Sequence, residues 1–276
     1  MSKRREVEDH IAVLDDIRAI MESMKNLAMM EAHKLTQYHA TQQRAVDSIL
    51  KALNSVRRHY APQALPAPAQ PLYLLLGSER GFCGAYNEQL LETLSRRPDA
   101  GQAPLIGVGT RLAGPLQREY PDAVCLPGAA VADEAAAALA GVIQAFNRLQ
   151  QTHGPLRLEV IHFQPDSQRP ACQPAVPALA PATDYGLPPL INLPPPQLLG
   201  ELLEQYLFAL THAWFFAALL AENQQRVQHL DQAGHHLARQ LEALGRRRNV
   251  LRQEEIIEEI EVILLSSEAV GAAAVL

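Results

Sequence analysis

All 20 prolines of this 276-residue chain lie between Pro62 and Pro196; residues 1–61 and 197–276 contain none. Glycine divides the same way: the first is Gly77, and beyond Gly186 only Gly200, Gly234, Gly245 and Gly271 occur. A helix interior loses about 3 kcal/mol to a proline and about 1 kcal/mol to a glycine. Long helices are therefore permitted at both ends, and the middle is cut into short elements. Hydrophobic residues make up 48% of the chain but aromatics only 5%, an aliphatic, alanine-rich balance that suits helices better than a β-sandwich.

The first arm, residues 1–60, carries a heptad stripe. One row reads Val7, Leu14, Met21, Ala28, Leu35, Gln42, Ile49, Val56, and a companion row three residues on reads His10, Ile17, Met24, Glu31, Tyr38, Ala45, Ala52. Such persistence predicts a coiled coil rather than an ordinary surface helix. The last arm, residues 196–276, has Leu220, Val227, Leu230, Leu237, Leu241, Leu244 and Leu251 at similar spacing, continued with a phase shift by Ile256, Ile260, Ile263 and Leu264. Neither stripe can be buried alone, so the arms are expected to pack antiparallel, with part of the longer C-terminal helix projecting beyond its partner.

Between them, residues 70–193 alternate in α/β fashion. Short apolar runs at 72–77, 104–109 and 123–126 are followed by helical spacing, and an alanine-rich helix over about 131–151 leads to a strand at 156–163. The alternation in that strand predicts an edge or half-exposed position, and the proline-rich stretch after it an extended connection with one or two short strands. The expected fold is a Rossmann-like α/β central domain with a mostly parallel sheet, plus a long antiparallel coiled coil of the N- and C-terminal helices.

Signals for bond chemistry are weak. Gly107-x-Gly109 with Gly114 places the third glycine five residues after the second, where a dinucleotide fingerprint needs three; a plain strand-to-helix turn is expected, although a nucleotide-dependent enzyme is the reading it invites. His229, His235 and His236 lack a completing carboxylate or thiolate and read as solvent-facing. Cys83, Cys125 and Cys172 have no CxxC spacing, which argues against a disulfide framework or a zinc site and for a reducing compartment. No metal, cofactor or catalytic residue is expected. The net charge of −6 excludes a generally basic nucleic-acid-coating protein. The basic start runs into acids instead of an apolar core, so no signal peptide is expected. The apolar run Tyr206–Leu220 is shorter than the roughly 20 residues of a membrane span and reads as a buried helix.

Three segments carry a family resemblance across nearly the whole chain. Ile20–Ala28 is similar to K-I-T-x-A-M-x-M-V-A. Ser78-Glu79-Arg80-Gly81-Phe82-Cys83-Gly84-Ala85-Tyr86-Asn87 resembles S-D-R-G-L-C-G-x-x-N. Glu222, Arg226, Val227, Leu230 and Ala233, then Asn249, Arg252, Gln253, Ile256, Glu259 and Ile260, resemble S-E-x-x-x-R-M-x-x-M-x-x-A and N-x-x-R-Q-x-x-I-T-x-E-I. Together they resemble the gamma subunit, the central rotor stalk, of F-type ATP synthases. Ala19, Met21, Arg248 and Ile257 depart from the pattern, as in a divergent branch; Ile257 stands where the family has Thr.

The resemblance implies a non-catalytic shaft that couples ion-driven rotation of a c-ring to ATP synthesis or hydrolysis in a head of alpha and beta subunits. It also implies an epsilon subunit as partner, no nucleic acid, and a peripheral position on the cytoplasmic face of a bacterial-type membrane, without a transmembrane segment of its own. Arg252 and Gln253, with Met24 nearby on the partner helix, are the implied catch against the head. Arg80, Gly81, Cys83, Gly84 and Asn87 are the implied foot contacts toward the ring. The alternative from another class is a stand-alone coiled-coil adaptor with a Rossmann-like head.

Overall fold

The computed structural model describes residues 3–60, 70–167, 169–176 and 187–273, with side chains as far as Ile263. Two helices dominate: α1, Lys3–Tyr60, and α5, Pro195–Ala273. The chain divides into two compact units, and each takes a share of both helices. One unit holds residues 1–26 and 230–276; the other holds residues 27–229.

The larger unit is built on a five-stranded sheet. Its strands are β1 Gln70–Leu76, β2 Leu105–Val108, β3 Val124–Leu126, β4 Leu156–Phe163 and β5 Pro170–Pro174, in the order β3-β2-β1-β4-β5. β1 pairs parallel with β2 and β4, β2 pairs parallel with β3, and only β5 runs antiparallel, against β4. Helices α2 (Tyr86–Ser95), α3 (Thr110–Glu119) and α4 (Ala135–His153) connect the strands. β4 is thus interior, not the edge its alternation suggested. The edge is β5, where Pro170 and Pro174 lack the backbone donors that would recruit a further strand.

Side-chain alternation along β1 divides the core. Leu72, Leu74 and Leu76 point to the face covered by α4 and by this unit's share of α1 and α5, where Val46, Leu53, Leu139, Tyr206, Trp214 and Phe215 pack. Tyr73 and Leu75 point to the other face, against Leu90 and Leu94 of α2 and Leu112 and Leu116 of α3. A strand buried on both faces reads as a continuous apolar run, which is what Leu72–Leu76 is. The Tyr206–Leu220 run packs most of its side chains into the core beneath the sheet, with Phe208 exposed, and among the described residues no helix is long and apolar enough to cross a membrane.

Within this unit α1 and α5 run antiparallel: Tyr38 and Phe216 have ring centroids 5.9 Å apart, and Gln42 Nε2 donates to the Ala209 carbonyl at 3.0 Å. The smaller unit has the same sense by its own contacts. There the Lys25 ammonium meets the Asp231 carboxylate at 3.0 Å and Arg4 meets Glu255 at 3.1 Å, so residue numbers fall on one helix as they rise on the other.

The first stripe of α1 is inward throughout, from half-buried Val7, Leu14 and Met21 to buried Ala28, Leu35 and Val56. The companion stripe is one residue off over most of its length. His10, Ile17, Tyr38, Ala45 and Ala52 are exposed while Met24 and Glu31 are half-buried as expected, and the row one residue on, Ile11, Lys25, Ala32, His39, Val46 and Leu53, is inward except at Arg18. Counting apolar positions weighs Ala45 and Ala52 equally with Val46 and Leu53, yet burial free energy scales with area and favours the larger side chains. Lys25 and His39 sit inward because such side chains bury an apolar body and keep a polar tip in reach of water. On α5, Leu220 to Leu251 are buried or half-buried as expected, whereas Ile256, Ile260 and Ile263 turn outward. Arg4, near the start of α1, already pairs with Glu255 on α5.

Candidate partner interface

The segment Ser78–Asn87 leaves the C-terminal end of β1 and enters α2. Ser78 and Asn87 close it: the Ser78 amide donates to Asn87 Oδ1 at 3.0 Å, and Asn87 Nδ2 donates to Ser78 Oγ at 2.9 Å. The rest is held from α5. The Glu222 carboxylate accepts the backbone N–H groups of Glu79 and Arg80, both at 3.2 Å. Arg226 Nε donates to the Gly81 carbonyl at 3.0 Å, its Nη1 to Asn223 Oδ1 at 2.9 Å, and its Nη2 to Cys83 Sγ at 3.3 Å and to Glu222 itself. Glu222 is 2% exposed and Arg226 4%, so the pair must be satisfied by these partners and not by water. Burial pushes the Glu222 carboxyl above the ordinary carboxylate value against the opposing pull of Arg226 and the two N–H groups. The Cys83 thiol is pushed up to about 12 by burial and the nearby Glu222 charge, which makes it an inert packing group at neutral pH.

This arrangement corrects two of the expected contact residues. Cys83 is buried and presents no surface, and half-buried Asn87 spends its amide inside the loop, so both shape the segment. Arg80 and Gly84 are exposed and Gly81 half-exposed. Sequence reasoning matched Glu222 and Arg226 to a pattern without giving them work. The available signal was an acid and a base one helical turn apart, directly after an apolar run that ends at Ala221. It also passed over Phe82, whose side chain is 53% exposed and whose φ of +64° is left-handed.

Glu79 occupies the glycine turn after β2. Its carboxylate sits at the start of α3, accepting the Thr110 amide at 2.9 Å, the Thr110 hydroxyl at 2.6 Å and the Gly128 amide at 2.7 Å. Those donors at a helix N-terminus are the kind that hold a pyrophosphate in dinucleotide folds; here the chain's own carboxylate occupies them. Partial burial pushes Glu79 up, but the Thr110 and Gly128 hydrogen bonds outweigh it and hold the carboxyl below its ordinary value. Gly109, with φ +116° at the cap of α3, serves this turn.

In the smaller unit Arg252 and Gln253 are exposed and Met24 is half-buried. Among the described residues neither Arg252 nor Gln253 has a hydrogen-bond or ion-pair partner, whereas Arg246 is paired with Glu242 at 2.7 Å. Met24 is not near them. The pairings Lys25–Asp231 and Arg4–Glu255 set residues 4–7 of α1 across from Arg252, so Met24 lies roughly 25–30 Å away along the helix at 1.5 Å per residue. His229, His235 and His236 are exposed.

The family model described as ATP synthase matches residues 3–270. Comparison with the curated proteins gives no match. Among solved structures, the chain is similar to the rotor of the Euglena gracilis mitochondrial ATP synthase, at 15% identity and TM-score 0.62, covering 92% of this chain and 98% of that one. A second Euglena gracilis structure, of OSCP, F1 and c-ring, gives 18% identity and TM-score 0.53 over 91% and 96%. The central stalk and c-ring of the Tetrahymena thermophila mitochondrial enzyme gives 16% and 0.52 over 78% and 99%. At these identities the structures speak for the fold, and the family match speaks for membership. The chain belongs to the gamma-subunit family of ATP synthase, the family of its central rotor shaft.

Proposed function

We propose that this gamma subunit makes and breaks no bonds itself and transmits torque between a c-ring and a head of alpha and beta subunits, with an epsilon subunit alongside. The observation that carries the mechanical reading is the exterior of the smaller unit. Val13, Ile17 and Ile20 of α1 and Val250, Ile257 and Ile260 of α5 are each 41–60% exposed although the two helices are already paired. A helical pair with aliphatic residues on its outside suits enclosure by an apolar sleeve, where a polar grip would oppose rotation. The side chain at Ile257 adds to this surface where a Thr would add a hydroxyl.

Arg252 and Gln253 are the proposed catch against the head, acting without Met24. Arg252 is an exposed fork of donors suited to a partner's carboxylates or carbonyls. Arg80, Gly81 and Gly84 of the Ser78–Asn87 loop are the proposed partner contacts of the larger unit, which is the proposed foot on the ring. The membrane is proposed to be of bacterial type, with the complex peripheral on its cytoplasmic face.

Replacing Arg252 and Gln253 together with alanine is expected to leave the melting temperature of the chain unchanged and to weaken ATP-driven rotation of the assembled complex. Both residues are exposed and unpartnered, so stability should move by no more than about 0.5 kcal/mol. Unaltered assembly and rotation in the double variant would remove the catch from this account.

A further inference from the structure

His162 of β4 is 1% exposed and takes no part in the partner surfaces above. Both of its ring nitrogens face groups that can only accept. Nδ1 lies 2.9 Å from the Phe163 carbonyl oxygen. Nε2 lies 3.3 Å from Gln173 Oε1 of β5. Trp214 of α5 fixes which way that amide points, because its indole Nε1 is a donor only and gives its hydrogen to the same oxygen at 2.9 Å. A neutral imidazole carries one N–H and can serve one of two acceptors. The shorter contact assigns that hydrogen to Nδ1, which leaves the Nε2 lone pair against the Gln173 oxygen. Only a second proton, at Nε2, would satisfy both acceptors. Burial opposes that proton and pushes the His162 imidazole below its ordinary value, against the pull of the two acceptors. The titratable group that acts on it is His39 of α1, half-buried, itself pushed down by burial, and a like charge once protonated. Trp214 from α5 and Gln173 from β5 do not titrate, and His212 of α5 lies instead against Phe208. Among the described residues no carboxylate acts on His162.

We propose that His162 and His39 form an acid-sensitive latch where β4 and β5 meet α1 and α5 in the larger unit, closed while both rings are neutral and loosened when they are charged. The sign follows from proton linkage. In the unfolded chain each histidine takes up its proton near the ordinary value of about 6.5; in the folded chain burial delays that uptake to lower pH. The contribution of the latch is therefore complete above about pH 6.5 and is lost as pH falls through the folded value. Each pH unit between the two values favours the opened form about tenfold in acid. An imidazolium at position 162 also competes with Trp214 for Gln173 Oε1, the oxygen that ties β5 to α5. The latch is made of this chain's own residues, all within the larger unit, and acts whatever the chain assembles with.

Trp214 reports on the latch directly. It is the only tryptophan of the chain, and its ring centroid lies 6.1 Å from that of His162, close enough for an imidazolium to quench its emission. The test follows Trp214 fluorescence of the full-length chain from about pH 8 to about pH 5, and amide hydrogen exchange of β4 and β5 at the two ends of that range, corrected for the intrinsic pH dependence of exchange. Emission should fall with a midpoint below about 6.5, and protection of these strands should drop roughly tenfold in acid. His162→Gln retains a donor for Gln173 and cannot take up a proton, so both changes should vanish. His39→Gln, at a half-buried position, removes the like charge and should move the emission midpoint upward; it decides the matter if His162→Gln does not fold. A pH response that persists in His162→Gln, a wild-type midpoint at or above about 6.5, or an unmoved midpoint in His39→Gln would overturn the proposal.

Discussion

Replacing Arg226 with alanine is expected to destabilise the chain by about 3–5 kcal/mol, because the substitution leaves the Glu222 carboxylate buried without its counter-charge. Four hydrogen bonds disappear with the guanidinium, to Gly81, Asn223, Cys83 and Glu222, and the loop loses its attachment to α5. Arg226→Lys keeps a positive charge but cannot reproduce the fork, so it should recover only part of the loss. Replacing Glu222 and Arg226 together with methionine should cost less than Arg226→Ala alone, since the desolvation of both charges is removed at once. The pH dependence has a defined sign. Burial already raises the Glu222 pKa, and losing Arg226 raises it further. A carboxyl with a raised folded pKa favours the folded state most below its unfolded pKa and loses that contribution as pH rises through the folded value. The deficit of Arg226→Ala should therefore be largest at neutral pH and shrink toward pH 5. Urea unfolding midpoints across that range measure it.

The second large effect is at Gly109. A Cβ there would lie 2.7 Å from the Ser78 carbonyl oxygen and 2.8 Å from the Gly77 carbonyl group, and the backbone holds φ at +116°. Neither obstacle is a flexible side chain. Gly109→Ala is expected to cost about 2–6 kcal/mol, combining overpacking with backbone strain, and to lower soluble yield. A Cβ at Gly114, in the interior of α3, would meet nothing within 4 Å. Gly114→Ala should be close to neutral, within about 1 kcal/mol of wild type, because helix propensity and unfolded-chain entropy favour alanine while the ring of the next residue, Pro115, crowds a Cβ in the helical region before it. Thermal melts of the two variants separate the glycine that makes the turn from the one that only resembles a fingerprint.

These residues show what was legible in the sequence. Proline and glycine placement located α1 and α5 almost to the residue, because a helix breaker acts locally and strongly. The runs 72–77, 104–109 and 123–126 identified three strands for the same reason. The inward row from Val7 to Val56 was legible from its period. The companion row was not: after Gln42 and Ile49, α1 carries apolar residues both three and four positions on, and only the packed partner decides between Ala45 and Val46 or between Ala52 and Leu53. The interior place of β4 depended on β5, a proline-bounded strand of weak β-propensity whose pairing is a long-range fact. Met24 and Arg252 were assigned to one place because both resemble contact positions. Their separation follows from the register between two helices some 200 residues apart in sequence, which no local pattern encodes. Glu222 and Arg226 lie in matching motifs, yet only coordinates show that their carboxylate and guanidinium hold the Ser78–Asn87 loop.

The central claim is that this chain is a rotating shaft. The direct measurement immobilises the assembled alpha and beta head, attaches a bead to an exposed position of the larger unit such as Glu88, and follows the bead when ATP is added. The account predicts sustained rotation in one direction that stops when ATP is removed. A bead that stays fixed on a head actively hydrolysing ATP, with the chain bound, would contradict it.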